Sequence, residues 1–179
     1  FCVHISITRP LDAMTEKLLD LEAGMTLSAL LTKQQGLEAA DALRISLALA
    51  SEVARRHRAG KLQGQIDAGE ITFAIDGTPQ LPHQVADTVP VGTNGFVVPD
   101  LPRDIRLDVP CDIQAAAETL DALDIKMNPR RIDVFLLGAL LCEMITGRSV
   151  QSFLRSPKVA ASIPTAGRRV IDAAIGFNQ

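Results

Sequence analysis

One segment limits what this chain can fold into: residues 134–142 are nine consecutive residues without a polar side chain, bounded by Asp133 and Glu143. A membrane-spanning helix needs about 20 apolar residues, so this run is too short to be one. The pattern around it predicts a helix over residues 131–146 that is apolar nearly all round and ends at Gly147. Such a helix belongs at the centre of a core, so we expect the other elements to pack around it.

Composition places the chain among folded domains and excludes several partners. The 179 residues are enough for one domain or a large part of one. A net charge of −3 excludes a globally basic nucleic-acid binder. Trp and Tyr are absent, which leaves no stacking platform for single strands. We therefore expect no nucleic-acid partner and no membrane span.

The cysteine pattern favours a reducing compartment. Cys2, Cys111 and Cys142 are few, odd in number and far apart, so they do not form a disulfide framework. The three histidines are equally scattered, and the sequence contains no H-E-x-x-H motif. We expect no metal site, no cofactor and, in the absence of a recognisable secretory signal, a cytoplasmic protein.

Helical spacing recurs along the chain. Leu43, Leu47, Ala50 and Ala54 follow one another every three to four residues and predict a long helix over residues 38–57. Shorter helices are predicted around residues 27–31, 113–123 and 167–175.

Signals for β-structure are short. Asp76-Gly77 is a strong hairpin signal between two β-like runs. Residues 2–7 and 17–21 predict an antiparallel pair. Residues 82–112 are rich in Pro, Gly and Asp and predict a long irregular segment, which is usually functional or disordered. The expected class is α+β, mostly α.

Five short motifs follow one another along the chain. They are G-M-T-L at 24–27, A-R-R-H-R-A-G-K-L at 54–62, I-T-F-A-I-D-G-T-P-Q-L at 71–81, G-T-N-G-F-V-V-P-D at 92–100 and D-V-F-L-L-G-A-L-L-C-E-M-I-T-G at 133–147. They resemble, in turn, the segment after the hinge, the lead into the catalytic loop, the hairpin before the metal-binding motif, the end of the activation segment and the central helix of one lobe. The chain thus resembles the C-terminal lobe of the protein-kinase superfamily, in its bacterial Ser/Thr form.

The resemblance implies a domain organisation. Residues 1–23 would be a remnant of the N-terminal lobe with the hinge, because no Gly-rich loop and no V-A-I-K lysine occur in the sequence. Residues 24–179 would be the C-terminal lobe, with an activation-like segment at 82–112 and an inserted helix at about 113–123.

The resemblance also implies structural roles. Gly92, Pro99 and Gly138 would be structural positions, and Asp133 would accept hydrogen bonds from the backbone of the catalytic loop. The alternative for Asp133 is a plain electrostatic partner of its helix N-terminus.

The catalytic positions of the family are replaced. Kinases of this type carry H-R-D or H-G-D, then Lys two residues after the Asp and Asn five after it. Here Gln65 replaces the base, Asp67 the lysine and Glu70 the metal-binding Asn, while His83 stands at the D-F-G aspartate. Gln65 cannot accept a proton, and neutral imidazole is a poor ligand for Mg²⁺. The resemblance therefore implies a pseudokinase with no catalytic residue.

Several charged residues have both a functional and a purely structural interpretation. Asp67 and Glu70 are either a solvated loop or a site for a metal or a cationic partner, and His83 is exposed or locally satisfied. The run at 55–58 either complements a helix C-terminus or binds phosphate. Glu143 makes a polar contact or faces solvent. Arg130, Arg131, Arg148, Arg168 and Arg169 form either a basic face or scattered surface charge.

Three functions follow from the resemblance. The first is an inactive scaffold or allosteric module whose partner is another protein or another domain of the same polypeptide, contacted through residues 82–112 and the inserted helix. The second is a domain that senses ATP without transferring phosphate. The third is an enzyme with rearranged chemistry on the same fold, of which the sequence gives no positive sign.

Overall fold

The computed structural model describes residues 24–83, 87–91 and 107–176. Within these ranges the chain is mostly helical with short antiparallel strand pairs, so the predicted α+β, mostly-α class is confirmed. The predicted strand pair and hinge in residues 1–23 lie outside the described residues, as do Gly92 and Pro99.

The predicted helices and hairpin are present. The helices are α1 (Leu27–Gln34), α2 (Ala39–Arg58), α3 (Ile113–Ala122), α4 (Arg130–Thr146), α5 (Val150–Arg155), α6 (Pro157–Ala161) and α7 (Thr165–Ile175). The strands form two antiparallel pairs, β1 (Thr72–Phe73) with β2 (Pro79–Gln80) and β3 (Thr88–Val91) with β4 (Leu107–Pro110). In the described part of the chain, every helix is too short or too polar to cross a membrane. Helices α5 and α6 are additions that the sequence pattern did not indicate.

Helix α4 lies at the centre of the core, as its apolar sequence predicts. Its side chains are buried on most sides, and it packs along both α2 and α7. Gly138 allows this packing, because a Cβ there would lie 2.6 Å from the Ala174 Cβ of α7. Gly147 then ends the helix in the left-handed conformation that favours glycine, with φ at 63°.

The buried face of α2 does not coincide with the row of apolar residues that predicted the helix. Leu47 is 70% exposed, whereas Ile45, Leu49 and Val53 are buried. Both sets recur at helical spacing, so periodicity alone did not distinguish them. The face that is buried is the one that continues to His57, whose side chain must point inwards to reach α4.

The segment predicted to be irregular contains regular structure. Strand β3 pairs with β4 in a register that places Val89 opposite Val109, and both side chains are buried. Each strand contains a proline, which two-stranded sheets tolerate because both strands are edges. Helix α3 follows directly and is capped by Asp112, whose Oδ1 accepts hydrogen bonds from the N–H groups of Gln114 and Ala115.

Candidate functional site

The candidate site is the loop of residues 62–71 between α2 and β1, where the family's catalytic loop would stand. Ile66 and Ala68 are buried and fix the loop to the core. Gln65, Asp67 and Glu70 are exposed. The three replaced positions therefore share the solvent side of one loop, and its apolar residues hold it from below.

Asp133, at the start of α4, holds the beginning of the loop. Its side chain is fully buried. Oδ2 accepts a hydrogen bond from the Gln63 N–H at 2.8 Å, and Oδ1 accepts one from the Gly64 N–H at 2.7 Å. Asp133 therefore binds backbone N–H groups outside its own helix, which is more than a dipole interaction with α4.

His57 completes the environment of this carboxylate. Its Nε2 lies 2.7 Å from the Asp133 Oδ2, so the Nε2–H donates to the carboxylate. A buried carboxylate is stable only where donors surround it, and here three donors do so. In the sequence, His57 belongs to a basic helix end and to the motif at 54–62, and that motif is the signal that could have identified its role.

Helix α1 holds the other end of the loop. The N–H groups of Leu27 and Ser28 donate to the carbonyls of Ile71 and Ala68, each at 2.8 Å. Thr26 caps the helix, because its Oγ1 accepts from the Ala29 N–H. These bonds satisfy N–H groups that a helix N-terminus leaves open, and they fix the loop to α1.

Gly64 is required by the shape of the loop. Its φ of +67° lies in the left-handed region, and a Cβ would come within 2.1 Å of a methyl carbon of Val89. Strand β3 therefore lies directly against the loop.

The side chain of Gln63 ties the loop to the chain that follows β2. It is 1% exposed, and its Nε2 donates to the carbonyls of Gln65 at 3.1 Å and of Pro82 at 3.4 Å. Arg56 also donates to the Pro82 carbonyl, at 3.3 Å. Two side chains thus position the residue that precedes His83.

The basic run at 55–58 is largely occupied within the protein. Arg55 forms a bidentate pair with Glu52 at 2.7 and 2.8 Å, and Arg56 also reaches that carboxylate. The hydrogen bonds from Arg55 lower the pKa of the Glu52 carboxyl from 4.5 to about 2. All four residues of the run lie in the last turn of α2, as the helix-end interpretation predicts, and the pairs with Glu52 leave Arg55 and Arg56 largely occupied.

One cleft borders the loop, and a second lies away from it. The first has a volume of about 830 Å³, lies between α2 and the β1–β2 hairpin, and is lined by Glu70, His83 and Arg58 among others. The second, of about 450 Å³, lies between α1 and the end of α4 and contains Glu143. Burial raises the pKa of the Glu143 carboxyl above 4.5, and the negative charge of Asp67 adds to that rise.

The outward side chains offer little chemistry. Asp67 is occupied locally, since its Oδ1 accepts the Gly69 N–H at 2.7 Å. No group of three or more His, Cys, Asp or Glu side chains is placed to hold a metal ion within the described ranges. Cys111 and Cys142 are buried and are not joined in a disulfide, and burial raises the pKa of the Cys142 thiol from 9.0 to about 11.

The predicted site residues therefore separate into distinct places. Asp133 meets the loop, Glu70 and His83 share the first cleft, and Gly138 lies away from both, against α7. No known protein-family model matches the chain, and a search of curated proteins finds no significant match.

Proposed function

We propose that this chain is a kinase-like C-terminal lobe that does not transfer phosphate and acts as a scaffold or allosteric interaction module within a larger protein or assembly. The observation that carries the proposal is the grip of Asp133 on the backbone of Gln63 and Gly64. It orders a loop whose exposed positions no longer carry catalytic groups.

The contacts around the loop support the kinase-like part of the proposal. The central apolar helix supplies a buried carboxylate, and the long helix before the loop supplies a histidine to the same carboxylate. The hairpin after the loop pairs Thr72 with Gln80, and the extended residues 24–26 run beside it through the Gly24 N–H, which donates to the Phe73 carbonyl. Four of the five motifs therefore meet around one loop. The fifth, at 92–100, lies outside the described residues.

The exposed residues support the inactive part. Phosphoryl transfer depends on positioning and on neutralising phosphate charge. The amide of Gln65 cannot take the proton of an attacking hydroxyl, and Asp67 places a negative charge where the family has a lysine. Two unit charges 4 Å apart interact by about 4 kcal/mol at an effective dielectric of 20, so this exchange turns attraction into repulsion of similar size.

The interaction surface of this proposal includes helix α3. The helix buries Ile113, Ala116 and Leu120 against the core. Its far end presents the side chain of Leu123, which is 49% exposed, beside Asp121 and Asp124, which both pair with Lys126. Because Lys126 offsets these carboxylates, the exposed apolar area of Leu123 is what a partner can bury there.

The test is a transfer assay with γ-labelled ATP, Mg²⁺ and Mn²⁺, using the full chain and generic protein acceptors. We expect the wild-type chain to incorporate no more label than the Gln65→Ala variant. Incorporation that the variant loses would overturn the inactive assignment, because it would show that Gln65 takes part in transfer.

A thermal unfolding series with Mg-ATP distinguishes the nucleotide-sensing alternative. We expect no rise in melting temperature with nucleotide. A ligand present at 100 times its dissociation constant stabilises the folded state by about 2.7 kcal/mol. A saturable rise of that order would replace the scaffold assignment with a nucleotide sensor.

A further inference from the structure

A strongly basic surface lies at the C-terminal end of α4, away from the candidate loop. Residues 148–176 contain five cations and one carboxylate, although the whole chain has a net charge of −3. All five cations are exposed. We call them the C-terminal basic surface, and they are Arg148, Arg155, Lys158, Arg168 and Arg169.

The fold brings these cations to one end of the molecule. Helix α7 runs antiparallel to α4, because Gly167 lies against Ile145 while Gly138 lies against Ala174. The first two turns of α7, which contain two of the arginines, therefore lie beside the end of α4 that carries Arg148. Helices α5 and α6 connect these two ends and contribute Arg155 and Lys158.

These charges do little for the fold itself. Asp172 is the only carboxylate in this region, and it lies 3.5 Å from Arg168. Across the described ranges, no carboxylate comes within ion-pairing distance of the other four cations. Arg168 lies in the first turn of α7, where positive charge opposes the helix dipole, and its pair with Asp172 offsets part of that effect.

Two aliphatic side chains are exposed among these charges. Leu154 is 43% exposed and precedes Arg155, and Val170 is 49% exposed and follows Arg169. Arginine is enriched at protein interfaces, and its planar guanidinium binds carboxylates through two parallel hydrogen bonds. Exposed aliphatic groups between such arginines add apolar area that a partner can bury.

We propose that the C-terminal basic surface binds an acidic segment of a partner protein in which carboxylates alternate with aliphatic side chains. Charge complementarity selects the carboxylates, and Leu154 and Val170 select the aliphatic residues. The chain has no Trp or Tyr to anchor at a lipid interface or to stack on bases, so a membrane and a nucleic acid are the less favoured occupants. This surface is separate from the loop, and the inference holds whether or not the chain transfers phosphate.

The test is binding of a fluorescently labelled peptide with alternating Glu and Leu to the full chain. The variant replaces Arg155, Lys158 and Arg169 together by Glu. We expect the variant to bind about tenfold more weakly, because each exposed ion pair contributes about 0.2–1 kcal/mol and each reversal adds repulsion. Wild-type affinity should also fall as salt rises.

A matched variant separates this surface from net charge. Arg58, Lys61 and Arg130 are exposed cations near the opposite end of α4, where His57 meets Asp133, and their joint replacement by Glu changes the net charge equally. We expect this control to retain most of the wild-type affinity. Thermal unfolding of both variants and of the corresponding Gln variants verifies that each is folded.

Three outcomes overturn the proposal. One is equal loss of affinity in the two Glu variants, which would show dependence on net charge alone. Another is absence of peptide binding by the wild-type chain. The third is binding to phosphatidylserine vesicles or to a DNA oligonucleotide that exceeds peptide binding and is lost in the first variant, which would assign the surface to a membrane or a nucleic acid.

Discussion

Replacing Asp133 by Asn tests how the loop is held. The substitution keeps the shape of the side chain but turns one acceptor oxygen into a donor group. Because Oδ1 serves Gly64 and Oδ2 serves Gln63 and His57, no orientation of the amide satisfies all three donors. One backbone N–H of the loop faces an NH₂ group in either orientation.

The size of the effect follows from this count of donors. A buried donor without a partner costs about 1–3 kcal/mol. The bonds that remain lose the assistance of the negative charge, which makes charged hydrogen bonds roughly twice as strong as neutral ones. We expect Asp133→Asn to lower the free energy of unfolding by about 3 kcal/mol. With a urea slope of about 2 kcal/mol/M, the midpoint should fall by about 1.5 M.

Two measurements check this prediction. Urea unfolding followed by circular dichroism gives the global change, and hydrogen exchange at the Gln63 and Gly64 amides gives the local one. Asp121→Asn is the control, because Asp121 is 74% exposed and pairs only with a surface lysine. We expect that control to change stability by less than about 0.5 kcal/mol.

The opposite outcome would be that Asp133→Asn unfolds at the same urea concentration as Asp121→Asn, and that the Gln63 and Gly64 amides keep their protection from hydrogen exchange. Such a result would mean that the loop is held by α1 and its own apolar residues, with no need for the buried carboxylate.

Three further changes have defined outcomes. Gly64→Ala should lower the free energy of unfolding by about 3 kcal/mol in urea unfolding, because it combines left-handed backbone strain with a steric clash. Gly60→Ala should lower it by about 1 kcal/mol, because its Cβ would enter open space. Equal losses in the two variants would contradict the clash. The pKa of Glu143 is raised above 4.5, so the folded state favours the neutral carboxyl, and the contribution of Glu143 to stability falls as pH rises past 4.5. The Glu143→Gln variant should therefore become more stable relative to wild type as pH rises from 4 to 7. The Glu118→Gln variant, at an exposed position, should not. The buried Cys142 thiol has a pKa of about 11, so it should resist iodoacetamide at pH 8 in the folded protein and react after denaturation. Peptide mass spectrometry measures the labelling. Rapid labelling of the native protein would contradict this burial.

The sequence predicted those parts of the fold that depend on local pattern. The central helix was visible because an apolar run leaves few alternatives to burial. The hairpin was visible because Asp76-Gly77 selects a tight turn. The buried face of α2 was not, since the sets containing Leu47 and Leu49 both recur at helical spacing and only contact with α4 distinguishes them.

Strand pairing between distant parts of the chain was the second feature that the sequence could not predict. Strands β3 and β4 pair Thr88 with Pro110 across a long connection, and nothing in either tetrapeptide indicates its partner. Each strand is short and contains a proline, which lowers its local strand signal. The strand pair also packs on the loop beneath it, where Gly64 leaves room for Val89, and that contact has no counterpart in a local pattern.

The contacts around Asp133 were only partly predictable. The motif at 133–147 led to the expectation that Asp133 would accept hydrogen bonds from a loop backbone, and its bonds to Gln63 and Gly64 are of that kind. The contribution of His57 required knowing which face of α2 turns inwards, and helical spacing alone does not distinguish the faces.

The loop separates the residues that fix its shape from the residues that could act on a ligand. Asp133, Gly64 and Ala68 hold it from the core side, whereas Gln65 and Asp67 face solvent. Outward residues can change without loss of the contacts that order the backbone, so this architecture can lose its chemistry and keep its fold. It follows that unfolding experiments on Asp133 and transfer assays on Gln65 examine independent properties, and that failure of one prediction leaves the other standing.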